Sequence, residues 1–223
     1  MAEKKIYEAC RRLLTICANC QPEENILIVT DTDCIEIGMA LWDAAEEFPN
    51  KTMVMMEPRK MHGEEPTPLV AAAMLKADVI FRATKFSLSH SHARRDACAA
   101  GARDLNCCDY SIEMLEKGGL YTDFEADRKY VDQLLKAMEG GDQIHITSEA
   151  GTDYYASIKG HKLFPQYGMV RNPGETCSPP DIEMASGAIP GTAHGKIVVD
   201  GSITHPAMGV LKEPITLYVE NSF

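Results

Sequence analysis

The chain has 223 residues, 45% of them hydrophobic and 25% charged, with 33 acidic against 22 basic side chains and a net charge of −11. A chain of that length buries roughly 70–75% of its unfolded surface, which excludes fibrous and disordered classes and makes disulfide staples unnecessary. The acidic balance has the wrong sign for affinity built on neutralising phosphates, and no apolar run reaches the ~18 residues of a membrane span.

Residues 4–19 place Ile6, Ala9, Cys10, Leu13, Leu14 and Cys17 at three- and four-residue spacing, which predicts an amphipathic helix. After a break at Gln21-Pro22, the run Ile26-Leu27-Ile28-Val29-Thr30 ending in Asp31 has the texture of a strand buried on both faces of a parallel sheet. The pattern then predicts a helix over 34–48, a strand over 52–56, an Ala-rich helix over 67–76, a strand over 78–83, a helix over 92–100 stopped by Gly101, and a weaker strand over 102–107. Alternation at these intervals without hairpin turns implies right-handed β-α-β crossovers and an open, mostly parallel sheet with helices.

Past a helix over 123–139 and the stop signal Gly140-Gly141-Asp142, the texture changes. Short strands at 143–147 and 154–158 flank a hairpin-like Ala150-Gly151-Thr152-Asp153, a Pro/Gly-rich stretch fills 164–192, and strands follow at 195–202 and 215–220. The fold class is therefore α/β, with an α/β domain at 1–140 followed by a β-rich domain at 141–223.

Ligands of an open parallel sheet collect beyond the carboxyl ends of its strands. Those ends carry Asp31-Thr32-Asp33, then Glu57 to Lys60, then Thr84 to His92, and none holds a Gly-rich phosphate loop, which argues against dinucleotide and nucleoside triphosphate enzymes. Asp31 and Asp33 can also be N-caps of the helix over 34–48, and the cap reading is preferred to a ligand role. His90 and His92 have a spacing that can hold a metal, while Ser91 reads as an N-cap and Arg94 with Arg95 as contacts to a carboxylate or a partner subunit; the cap reading is preferred. No second pair completes a zinc set with Cys17 and Cys20, so the eight cysteines read as reduced, mostly buried thiols. No nucleophile elbow occurs. The remaining dense segment, Arg171 to Pro180, is a turn-rich loop with one carboxylate, Glu175.

Several segments resemble one family: Ser91-His92-Ala93-Arg94-Arg95-Asp96, Ala99 to Arg103, Glu113-Met114-Leu115, Gly119-Leu120, Ile146 to Asp153, Asn172-Pro173-Gly174-Glu175, Gly195 to Ile203 and Glu213 to Glu220. In this order they are similar to the metal-dependent aminopeptidases of the aminopeptidase T/S (M29-like) type, which are grouped with 2,5-dihydroxypyridine dioxygenase-like proteins. The resemblance implies a divalent metal (zinc, manganese or cobalt) and a peptidase or amidase activity in which metal ions polarise a carbonyl and supply hydroxide. It carries over one metal ligand, Glu175, and leaves the catalytic residues unassigned.

The leading expectation is thus a metal-dependent aminopeptidase-like hydrolase of peptides or amides, or its N-terminal portion. A ring-cleaving dioxygenase of the dihydroxypyridine type with ferrous iron is the alternative, and a non-catalytic binding or assembly module the third reading. A small peptide or small-molecule substrate is expected, with neither nucleic acid nor membrane as partner. Family members continue beyond the equivalent of residues 219–221 and carry further ligands there, so the chain is expected to be incomplete and to associate as a homo-oligomer, a homodimer first of all, or with a complementary C-terminal chain. Its charged start lacks the apolar stretch of a signal peptide, which predicts a cytoplasmic protein.

Overall fold

The structure is a computed structural model that describes residues 2–203 and 207–222. Helix α1 (Ala2–Arg12) carries Glu3 in its first turn and Arg11 and Arg12 in its last, which suits the helix dipole. It runs into a π-helical turn, Leu13–Cys17, where the Ala18 N–H reaches the Leu13 carbonyl at 2.9 Å. The segment expected as one helix therefore has two helical forms, the wider turn keeping Leu13, Leu14 and Cys17 buried together.

The elements that follow are β1 (Ile26–Asp31), α2 (Ile35–Ala44), β2 (Lys51–Met56), α3 (Pro68–Met74), β3 (Val79–Ala83), α4 (His92–Ala99), β4 (Arg103–Asn106), α5 (Ile112–Glu116), a 3-10 turn at Gly119–Tyr121, and α6 (Phe124–Met138). The strands after α6 are short: β5 (Gln143–Thr147), β6 (Asp153–Ser157), β7 (Leu163–Tyr167), β8 (Thr176–Cys177), β9 (Ile182–Ser186), β10 (His194–Val199), β11 (Ser202–Ile203), β12 (Gly209–Val210) and β13 (Ile215–Val219). The chain divides into two compact units, one of residues 1–131 with 166–183, the other of residues 132–165 with 184–223.

The first unit is built on a parallel five-stranded sheet of order β2-β1-β3-β4-β8, so the α/β class expected from the sequence is the observed one. Every residue of β1 and β3 is buried, which explains their mostly apolar texture. On one face Ile26, Ile28, Phe81 and Leu105 pack with Leu13, Leu14, Ile37 and Leu41 from the α1 and α2 side. On the other, Leu27, Val29 and Ile80 pack with Val70 and Met74 of α3 and Ala93 and Ala97 of α4. Gly38 lets α2 lie close on β1, since a Cβ there would stand 3.0 Å from the Thr30 side chain.

The second unit holds an antiparallel sheet of order β13-β10-β6-β5. Cross-strand register puts His145, Tyr155 and His194 in one row, where their rings stack at centroid spacings of 3.9 and 5.3 Å. Gly195, at φ +115°, is required by the close pairing of β10 with β6: an added Cβ would meet the Asp153 carbonyl at 2.2 Å. The Pro/Gly-rich stretch contains most of β7 and all of β8 and β9. β7 and β9 form a ribbon, and β8 is a two-residue addition to the parallel sheet, too short to leave a pattern in the sequence. Among the described residues no helix is long and apolar enough to cross a membrane.

Candidate functional site

The strand order reverses between β1 and β3, the place where parallel sheets hold ligands. Asp31 closes β1 there, fully buried; its Oδ1 accepts the Cys34 N–H at 3.0 Å and its Oδ2 accepts the Lys85 N–H at 2.7 Å. This carboxylate ties the entry of α2 to the loop after β3, while Asp33 is exposed. Lys85 reaches Asp109 at 2.7 Å, and that hydrogen bond and charge raise the pKa of its ammonium group.

The loop after β3 is locked to the loop after β2. Gly63 N–H donates to the Ser87 carbonyl at 2.8 Å, and Ser87 N–H donates to His62 Nδ1 at 3.0 Å, which leaves the His62 proton on Nε2. The His62 ring meets Phe86 edge-on at 5.3 Å. The Glu65 carboxylate accepts the His92 and Ala93 N–H groups at the start of α4, bonds that hold its pKa below the usual range. Ser91 is the N-cap expected from the sequence, accepting the Arg94 N–H at 3.2 Å and donating to the Leu88 carbonyl at 2.8 Å. Arg94 turns back onto the Ser89 carbonyl through Nε and Nη2, at 2.9 and 2.5 Å, and Arg95 contacts His92 Nδ1 at 2.8 Å. Both arginines thus serve their own segment, and His90 stands exposed beside it.

Beneath these loops lies a feature the sequence reading passed over. Arg82 and Asp104 are completely buried and paired twice, Nε to Oδ1 at 2.6 Å and Nη2 to Oδ2 at 2.8 Å. Burial by itself would lower the guanidinium pKa, but the charge and hydrogen bonds of Asp104 outweigh it and the net shift is upward. Thr176 Oγ1, brought in by β8, donates to Asp104 Oδ2 at 2.8 Å. Arg82 also donates from Nη1 to Asn106 Oδ1 at 3.2 Å and from Nη2 to Ser89 Oγ at 3.1 Å. The signal was legible: an arginine inside the apolar run Val79-Ile80-Phe81-Arg82-Ala83 must find a buried anion, and Asp104 lies on the neighbouring strand in register with Ile80, two residues away on the same face.

Glu175 holds its own loop together. Its Oε2 accepts the N–H groups of Arg171 and Asn172 at 2.6 and 3.0 Å, and its Oε1 accepts Asn172 Nδ2 at 2.6 Å. Burial raises its pKa, these bonds lower it further, and the net direction is downward. The Glu175 carbonyl then accepts the Asp104 N–H at 3.0 Å, which starts β8 beside β4. The cysteines are all free, and only Cys108 is more than marginally accessible. Burial pushes the Cys17 and Cys20 thiols up to about 12, so neither offers a thiolate at neutral pH. Among the described residues no group of three or more His, Cys, Asp or Glu side chains is placed to hold a metal ion.

A family model described as 2,5-dihydroxypyridine 5,6-dioxygenase, NicX, matches residues 5–223. The chain belongs to the NicX family. Among solved structures it is similar to the 2,5-dihydroxypyridine dioxygenase of Pseudomonas putida KT2440, with a TM-score of 0.81 and 18% identity over 99% of this chain and 67% of that one. It is also similar to AmpT from Thermus thermophilus, with a TM-score of 0.64 and 10% identity over 99% of this chain and 70% of that one. At these identities both likenesses concern the fold. No curated protein matches the chain.

These matches correct the leading expectation of the sequence. The hydrolase, aminopeptidase and metalloprotease reading is overturned, because the NicX model is that of a dioxygenase and spans nearly the whole chain; the M29 link persists only as structural likeness to AmpT. A small-molecule substrate fits the NicX family, and membership implies a divalent metal. The donor set does not fit such an ion within the described residues: no three ligands converge, and both oxygens of Glu175 are engaged in their own turn.

Proposed function

We propose that this chain serves the oxygen-dependent opening of a hydroxylated pyridine ring, with 2,5-dihydroxypyridine as the substrate and ferrous iron, held by ligands outside the described residues, as the metal. The observation that carries the reading is the NicX family match over residues 5–223. The strand ends support it. Beside the Lys85–Asp109 ion pair they offer hydroxyl, amide and aromatic groups (Ser87, Ser89, Asn106, Phe86, His62) with no phosphate loop, a set suited to a small polar ring. The described residues supply no converging metal set, so this reading makes none of them a ligand to iron.

An oxygen electrode tests the proposal. The purified chain, loaded with ferrous iron under argon and then given air and 2,5-dihydroxypyridine, is expected to consume one O2 per ring while the ring's near-ultraviolet absorption disappears. Oxygen uptake no faster than that of ferrous iron alone would overturn it.

A further inference from the structure

The buried pair beneath the strand ends decides which way the hydrogen bonds above it run. A guanidinium can only donate, so Asn106 must turn Oδ1, and Ser89 must turn a lone pair, toward Arg82. The Asn106 Nδ2 hydrogens are thereby directed away from the arginine, with a single partner among the described residues, Ser178 Oγ, at the long distance of 3.4 Å. Ser87 and Ser89 share one short contact of 2.8 Å between their hydroxyls. One of the two protons is spent in it. If Ser87 donates, the Ser89 proton has no acceptor among the described residues; if Ser89 donates, the Ser87 proton has only Asn106 Oδ1 at 3.5 Å. Ser87, Ser89, Asn106 and Ser178 are all half-buried, so none of the four residues is sealed from solvent.

We infer that Ser87, Ser89, Asn106 and Ser178 form a donor cluster that binds an oxygen substituent of a flat aromatic ring, a hydroxyl or ring oxo group, with Arg82 as the positioning residue beneath. The inference deepens the proposed function and rests on it for the identity of the ring. Asn106 Nδ2 and one of the Ser87 and Ser89 hydroxyls keep hydrogens without a short acceptor, which suits an oxygen substituent. The charge of Arg82 is already cancelled by Asp104, which selects a weakly charged oxygen over a phosphate. No metal is needed for this recognition, so it can be measured apart from turnover.

The test is calorimetric titration of the full chain with 2,5-dihydroxypyridine under argon with a chelator present, using pyridine and inorganic phosphate as controls. Asn106→Asp keeps the size of the side chain and its acceptor toward Arg82 but replaces donors by a negative charge; it is expected to weaken binding at least about tenfold. Ser89→Ala is expected to weaken it about 2- to 10-fold, and Ser89→Thr, which keeps the hydroxyl, to restore it. Pyridine should bind no better to the wild type than to the variants, and millimolar phosphate should not compete. Wild-type affinity in Asn106→Asp and Ser89→Ala, no binding to the wild type, or competition by phosphate would each overturn the inference. Donor-dependent binding without oxygen uptake would leave the inference standing and remove the dioxygenase reading; oxygen uptake with unchanged binding in the variants would do the reverse.

Discussion

Replacing Asp104 by Asn isolates the contribution of the buried pair. The native carboxylate accepts three hydrogen bonds, two from Arg82 and one from Thr176, and both members of the pair have no exposed side-chain surface. Asn keeps one acceptor, turns N–H groups toward other donors, and leaves the Arg82 charge uncompensated where no water reaches it. Breaking a pair of this kind costs about 3–5 kcal/mol. In a chain of this size each kcal/mol lowers the melting temperature by about 2–4 °C, so a fall of roughly 6–20 °C is expected. The single tryptophan makes the assay direct: Trp42 lies in the same unit, with Lys51 Nζ 4.6 Å from its ring centroid and bonded to its carbonyl, so urea denaturation followed by its emission reports this unit. The double variant Arg82→Met with Asp104→Leu removes both charges and is expected to recover most of the loss, less what Asn106 and Ser89 forfeit. A loss below about 1 kcal/mol in Asp104→Asn, or a double variant no better than the single one, would refute the reasoning.

Three further outcomes follow from the same geometry. Because the folded pKa of Glu175 is depressed, its stabilising contribution is fully present above the ordinary value of 4.5 and is lost as pH falls through the lower folded value; Glu175→Gln should remove this acid limb from a denaturation series and cost about 1 kcal/mol or less at neutral pH, discounted for solvent screening. At pH 8 a thiol reagent should label Cys108 first and the buried cysteines only on unfolding, and stability should decline as pH rises from 9 toward about 12, since burial raises Cys10, Cys17 and Cys20 from 9.0 to about 12. Gly195→Ala should destabilise the antiparallel sheet by at least about 1–3 kcal/mol, read by hydrogen exchange of β6 and β10, because a Cβ would stand 2.2 Å from the Asp153 carbonyl at a φ of +115°.

The parts of this fold legible in the sequence are those whose partners lie nearby in the chain. β1 and β3 announce themselves because burial on both faces leaves little room for polar residues, and Ser91 announces α4 because an N-cap needs only the next turn of backbone. β8 does not, because Thr176 and Cys177 become a strand only by pairing with Asp104 and Leu105, far earlier in the chain. The candidate site divides the same way. The strand-end loops were readable from topology, whereas the direction in which Asn106 and Ser89 present their hydrogens depends on the Arg82 guanidinium, which meets Asn106 only through the pairing of β3 with β4: Arg82 gave a local signal, but Asp104, Asn106 and Ser89 acquire their roles only in three dimensions. Glu175 sits where the sequence drew attention, and what the structure shows there is a clasp on Arg171 and Asn172.

The discontinuity of the first unit bears on how the protein is made. During synthesis from the N-terminus, β1 to β4 emerge together, but the strand that completes their sheet follows only after residues 132–165, which belong to the other unit. Until then Asp104 lacks the Thr176 hydroxyl, and the Cys17 carbonyl lacks the Val170 N–H that meets it at 2.8 Å in the finished molecule. The edge of β4 is open during that interval, a template for pairing with any extended segment that passes. A nascent chain stalled near residue 140 should therefore be the species most dependent on chaperones, and release of that dependence should coincide with the arrival of residues 166–183 rather than with completion of the second sheet.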